Sequence, residues 1–67
     1  MLRVLSRNCE DVLVKDGEDY KIVDTEARSV STAMTFADVQ RVMSRGYWTD
    51  EDLPEPELVA EIIDSAI

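Results

Sequence analysis

Residues 11–23 read DVLVKDGEDYKIV. Two β-compatible runs flank Asp16-Gly17, a dipeptide that marks a tight turn, so the stretch predicts a β-hairpin. Side-chain type suggests its register. A loop of Asp16 and Gly17 alone would set Leu13 against Tyr20 and Val12 against Lys21. A three-residue loop, Lys15-Asp16-Gly17, sets Val12 against Tyr20 and Val14 against Glu18. It gathers Val12, Val14, Tyr20 and Ile22 on one face, leaves Asp11 opposite Lys21 on the other, and puts Gly17 at the left-handed position such loops favour. The three-residue loop is the expectation. An isolated hairpin is at best marginal in water, so its apolar face needs a partner.

Strands are expected over about residues 2–5, 10–14 and 18–24, with Leu2 and Val4 supplying the first. The partner is announced C-terminal to the hairpin. Thr35 suits an N-cap, Asp38 stands at the third helical position in a variant of the capping box, and Met34 and Val39 occupy the positions of a hydrophobic staple. Phe36, Val39, Val42 and Met43 fall at helical spacing, and Gly46 is placed as a left-handed C-terminal cap. This predicts a helix over about 36–45. Between hairpin and helix, Val30, Thr32 and Met34 alternate as in a strand, while Ala27, Val30 and Met34 also fit a helical face; a short strand at 28–33 is the preferred reading. A second helix over about 56–66 opens at Pro56, whose missing N–H costs nothing in the first turn. Leu53 and Glu55 precede prolines and are pushed into extended backbone. Leu58, Val59, Ile62, Ile63 and Ala66 make its apolar face, with Glu57, Glu61 and Asp64 opposite. The fold class is therefore α+β: an N-terminal β-hairpin, or a small three-stranded antiparallel sheet, packed against two amphipathic helices in one domain spanning 1–67.

The chain's net charge of −8 is unevenly distributed. Residues 1–23 carry −1, residues 24–48 carry 0, and residues 49–67 carry −7, with seven acids and no Lys or Arg. At 67 residues the chain buries only about 60% of its unfolded surface, so its stability is expected to be small. Cys9 is the single cysteine, which excludes an internal disulfide and fits a reducing compartment. No apolar run approaches the roughly 20 residues of a membrane span, and the opening MLRVLSRNCED lacks the longer apolar stretch of a secretory signal. A soluble, cytoplasmic protein is expected.

Catalysis finds little support. There is no histidine, the commonest general base near neutral pH. GxSxG is missing, and Gly17 and Gly46 are too far apart for a phosphate-cradling loop. Metal binding is no better served. Asp50 and Asp52 have the alternate spacing of a calcium loop's first ligands, but no central glycine follows and Pro54 stands where the next ligand belongs. Glu57 and Glu61 share a helical face without the Glu-x-x-His partner of di-iron sites. No enzyme activity, cofactor or metal is expected.

A short strand at 28–33, a helix closed by Gly46 and a second helix in PELVAEIIDSAI resemble, in order, the ribbon-helix-helix arrangement of small dimeric repressors and antitoxins. The resemblance spans roughly the last forty residues and carries no specific motif. It implies a dimer presenting Arg28, Ser29 and Ser31 to a DNA groove. Seven carboxylates would repel the phosphates on which non-specific DNA affinity depends, so direct nucleic-acid binding is not expected.

The acidic end is better suited to a protein partner. Glu55 and Glu57 precede or open a helix, where negative charge is favoured by about 0.3–1 kcal/mol, and Asp52 is placed to cap a turn opened by Thr49. Asp50, Glu51, Glu61 and Asp64 have no such local role. Glu57, Glu61 and Asp64 recur about 6 and then 4.5 Å along a helix, a row that can oppose Lys and Arg side chains. Tyr47 and Trp48, just before the acids, are aromatic types that anchor interfaces, although Trp48 is equally suited to plugging a small core. The expected function is a small acidic inhibitor or adaptor, of the kind phages and mobile elements encode, docking on a protein with a basic surface, for example one that handles nucleic acid. Its expected contacts are Tyr47, Trp48, Asp50, Glu51, Asp52, Glu57, Glu61 and Asp64. The alternatives are the repressor order above and an assembly protein whose acids serve solubility alone. Surplus apolar helix surface is compatible with a homodimer.

Overall fold

The computed structural model describes residues 1–66 as β1 (Leu2–Asn8), β2 (Asp11–Asp16), β3 (Asp19–Asp24), β4 (Ser29–Val30), α1 (Phe36–Met43) and α2 (Pro56–Ser65). The strands form one antiparallel sheet in chain order, β1-β2-β3-β4. The α+β class holds, with four strands in the sheet where two or three were expected. The fourth is short: Val30 pairs with Val23 and Ser29 with Asp24. An isolated bridge between Tyr20 and Met34 continues the cover along β3.

The β2–β3 register also differs from the expected one. Asp16 pairs with Asp19, Val14 with Lys21, Leu13 with Ile22 and Val12 with Val23, which leaves Gly17-Glu18 as a two-residue loop. Gly17, at φ 65°, takes the first central position, where a type II′ turn requires glycine. Val12 and Val14 therefore share a face with Val23, while Tyr20 and Ile22 lie on the other side with Leu13. The physical reason lies in β2. Val12, Leu13 and Val14 are buried in succession, so the strand is covered on both faces and its side-chain pattern cannot distinguish one register from the next.

Each face has its own cover. On one, Val12, Val14 and Val23 form a core with Val59 and Ile62 of α2, ringed by Leu2, Val4, Val30 and Ile63. Full burial of such a side chain contributes about 1.5–3 kcal/mol, so this layer dominates the fold's apolar stabilisation. On the other face, alternation places Leu13, Tyr20 and Ile22 together. There the Tyr20 ring meets Phe36 of α1 at 6.1 Å between centroids, and Lys15 lies 5.4 Å over the Tyr20 ring.

A β-bulge in β1 divides that strand. Val4 pairs with Val14, yet Ser6 pairs with Leu13, leaving Leu5 as the extra residue. Cross-strand partners share a face, so the bulge moves Ser6 and Asn8 to the α1 side and swings Arg7, opposite Val12, to the α2 side. Re-aiming a side chain is a common role of bulges.

α1 begins as its sequence signals. The Thr35 amide donates to Asp38 Oδ2 at 3.2 Å, and the Asp38 amide donates to Thr35 Oγ1 at 3.2 Å, completing the capping box. Its apolar stripe is less buried than expected: Val39 is buried, but Phe36 and Met43 are exposed. The helix closes on Ser44 in right-handed conformation. Gly46 follows at φ 146° and is not the left-handed cap that was expected. α2 starts at Pro56 with no side-chain cap from Glu55.

Candidate protein-binding surface

The link between the helices is stapled to the outer edge of β1. The Arg7 amide donates to Thr49 O at 2.8 Å and the Thr49 amide donates to Arg7 O at 2.9 Å. Arg7 Nε donates to Glu51 O at 3.0 Å, and the Glu51 amide donates to Thr49 Oγ1 at 3.1 Å. Thr49 thus opens a turn through its own hydroxyl, as expected, while the capping bond expected of Asp52 is not among the side-chain hydrogen bonds of the described residues. Asp52 instead adopts φ 54°, a left-handed conformation that Asp tolerates better than most residues. These bonds use backbone groups, the Arg7 guanidinium and the Thr49 hydroxyl, so the carboxylates of residues 50–52 are left to solvent.

Asp50, Glu51, Asp52, Glu55, Glu57, Glu61 and Asp64 are all exposed. Glu61 lies 3.7 Å from Arg28, a pair open to water and so worth about 0–1 kcal/mol. Among the described residues the other six acids have no cation within 4.0 Å; the remaining ion pairs are Lys21–Asp16 and Arg41–Asp38. Tyr47 and Trp48 part company. Tyr47 is 80% exposed, whereas Trp48 is partly buried and its Nε1 is shielded without a hydrogen-bond partner. Trp48 Nε1 lies near Gly46, which Asn8 also approaches.

One of the acids outside this segment is electrostatically tuned. The Asp38 carboxyl is held below its ordinary value of 3.8, first by the Thr35 backbone amide, then by the Thr35 hydroxyl, with Arg41 helping and partial desolvation opposing. Its role is capping. Among the described residues no three carboxylate or thiol groups converge as a metal ion would require, and no described helix is long and apolar enough to cross a membrane.

Beside the acids lies a feature that the sequence did not signal. Arg7, Cys9, Val12, Thr25, Asp52, Pro54 and Leu58 line an open cleft of about 210 Å³. Its walls come from the β1–β2 turn, the end of β3 and the elbow leading into α2. Leu58 was expected in the core, yet it is 41% exposed, because α2 rests on the sheet through Val59 and Ile62. Arg7 reaches the cleft only through the bulge, which leaves no trace in side-chain pattern.

No family model, curated protein or solved structure matches this chain. Geometry and charge alone bear on its function.

Proposed function

We propose that the chain is a non-enzymatic protein-binding module, an acidic inhibitor or adaptor that docks on a basic protein through residues 47–64. The observation that carries this reading is the exposed charge of Asp50, Glu51, Asp52, Glu55, Glu57 and Asp64, without an ion pair among the described residues, beside a link fastened to β1 at Thr49 and Glu51. Charge held on a fixed backbone steers a partner of opposite sign and suppresses like-charged ones. Tyr47, beside the acids and 80% exposed, supplies the aromatic contact that interfaces favour. A nucleic-acid-handling partner fits, since its phosphate-binding face would present the matching cations. The repressor order has less behind it: the strand it would lay in a groove is two residues long and pairs with β3 of its own sheet.

The test is affinity capture from the cells in which the chain occurs, followed by binding kinetics against the captured protein. The partner should carry a basic face, and association should slow markedly as salt shortens the Debye length to about 8 Å at 0.15 M. Asp50→Lys/Asp64→Lys alters two exposed side chains with no ion pair among the described residues. It should lower the association rate about tenfold while changing dissociation less. Unchanged association by that variant would return the acids to solubility. Tight binding of DNA at moderate salt would favour the repressor order.

A further inference from the structure

We propose that the cleft between the β1–β2 turn and the elbow into α2 receives one apolar side chain of the partner, carried on a segment with Lys or Arg on either side of it. The inference rests on the protein-binding reading above and supplies the chemistry of the bound segment. Size comes first. A cavity of about 150 Å³ lined by apolar side chains holds a benzene ring, so 210 Å³ admits one aliphatic or aromatic side chain. It falls short of the roughly 300–1,000 Å³ typical of small-molecule sites. Part of the wall matches such an occupant: Val12, Pro54 and Leu58 are apolar, and Leu58 remains 41% exposed although Val59 and Ile62 of the same helix are buried. Covering that surface is favourable for any apolar group that fits.

Charge sets the flanks. The lining contains one cation, Arg7, and one carboxylate, Asp52. The Arg7 guanidinium is directed at backbone, with Nε on Glu51 O at 3.0 Å and Nη1 on Cys9 O at 3.4 Å. The neighbouring chain positions are Glu10 beside Cys9, Asp50 and Glu51 before Asp52, and Glu55 after Pro54. All four are exposed and none forms an ion pair among the described residues. Three apolar wall residues, flanked along the chain by these exposed carboxylates, favour an apolar residue between cations, because a carboxylate-bearing segment would be repelled by the local charge.

The full chain is titrated at low ionic strength with three synthetic peptides of equal length, followed by backbone-amide NMR. One has a leucine among lysines, one is all lysine, and one has a leucine among glutamates. The leucine–lysine peptide should bind about tenfold tighter than all-lysine, the low end of what burying a leucine provides. It should shift the amides of Arg7, Thr25, Asp52 and Leu58. Leu58→Gln, checked for an unchanged fold by its melting curve, should reduce its affinity to the all-lysine level. Equal binding of both lysine peptides, indifferent to Leu58→Gln, would overturn the cleft proposal and leave the acidic-surface reading standing. Tightest binding by the glutamate peptide would overturn both. Absence of binding by either lysine peptide would overturn the cleft, and the Asp50→Lys/Asp64→Lys kinetics would then decide the broader reading alone.

Discussion

Gly46→Ala should destabilise this protein by a large fraction of its total stability. Gly46 sits at φ 146°, where an L side chain is strained whatever space surrounds it, at a cost of about 1–3 kcal/mol. The added Cβ would also lie 2.6 Å from Asn8 Nδ2, with Trp48 Nε1 at an ordinary 3.8 Å. The Asn8 amide is the end of a side chain and can turn away, so the steric part is relievable and the backbone part is not. At about 0.05–0.15 kcal/mol per residue, a chain of this size has roughly 3–10 kcal/mol in all. For domains of this length each kcal/mol moves Tm by about 4–8 °C, so the expected fall is about 5–20 °C. Urea unfolding followed by circular dichroism measures it, with an unchanged m-value showing that the transition is the same one. Asn8→Ala/Gly46→Ala separates the two causes: removing the amide should recover only a minor part of the loss. A Gly46→Ala protein as stable as the unsubstituted chain would refute the strain at φ 146°. Full recovery in the double variant would leave steric overlap as the whole effect.

Ile62→Ala and Leu13→Ala act on opposite faces of the sheet, and each should cost about 2–5 kcal/mol in the same urea experiment; a mild effect at Leu13 would show that the α1 side is not a packed layer. Cys9→Gly should stabilise by up to about 1 kcal/mol, since Cys9 has φ 55° in the β1–β2 turn and glycine relieves about 1–2 kcal/mol of left-handed strain while adding some chain entropy. A lower Tm for Cys9→Gly would instead assign its side chain a packing role. The Asp38 carboxyl is depressed below 3.8 in the folded chain, so its contribution is fully present above that unfolded value and is lost as pH falls through the lower folded one. Thermal melts of Asp38→Asn should therefore fall less steeply than those of the unsubstituted protein below about pH 4, and parallel acid limbs would exclude the cap as their source.

Local signals were enough for where both helices begin. Thr35, Asp38 and Pro56 act through bonds and backbone limits within a few residues, so α1 and α2 begin where those residues say. The Asp16-Gly17 signal likewise marked a hairpin, and the count of acids marked the charged end. What only the tertiary structure decided are the relations between elements. The hairpin register followed from burial of β2 on both faces, which erases alternation at Val12, Leu13 and Val14. The bulge at Leu5 sent Arg7 to the α2 side, and the Arg7–Thr49 bridge tied the acidic link to the sheet. The bridge joins residues 42 positions apart, and the register and bulge depend on what covers each face of the sheet, which no short-range spacing carries. The candidate surface divides the same way: its charge was legible as composition, while its cleft exists only because a bulged strand, a turn and a helix elbow meet in space.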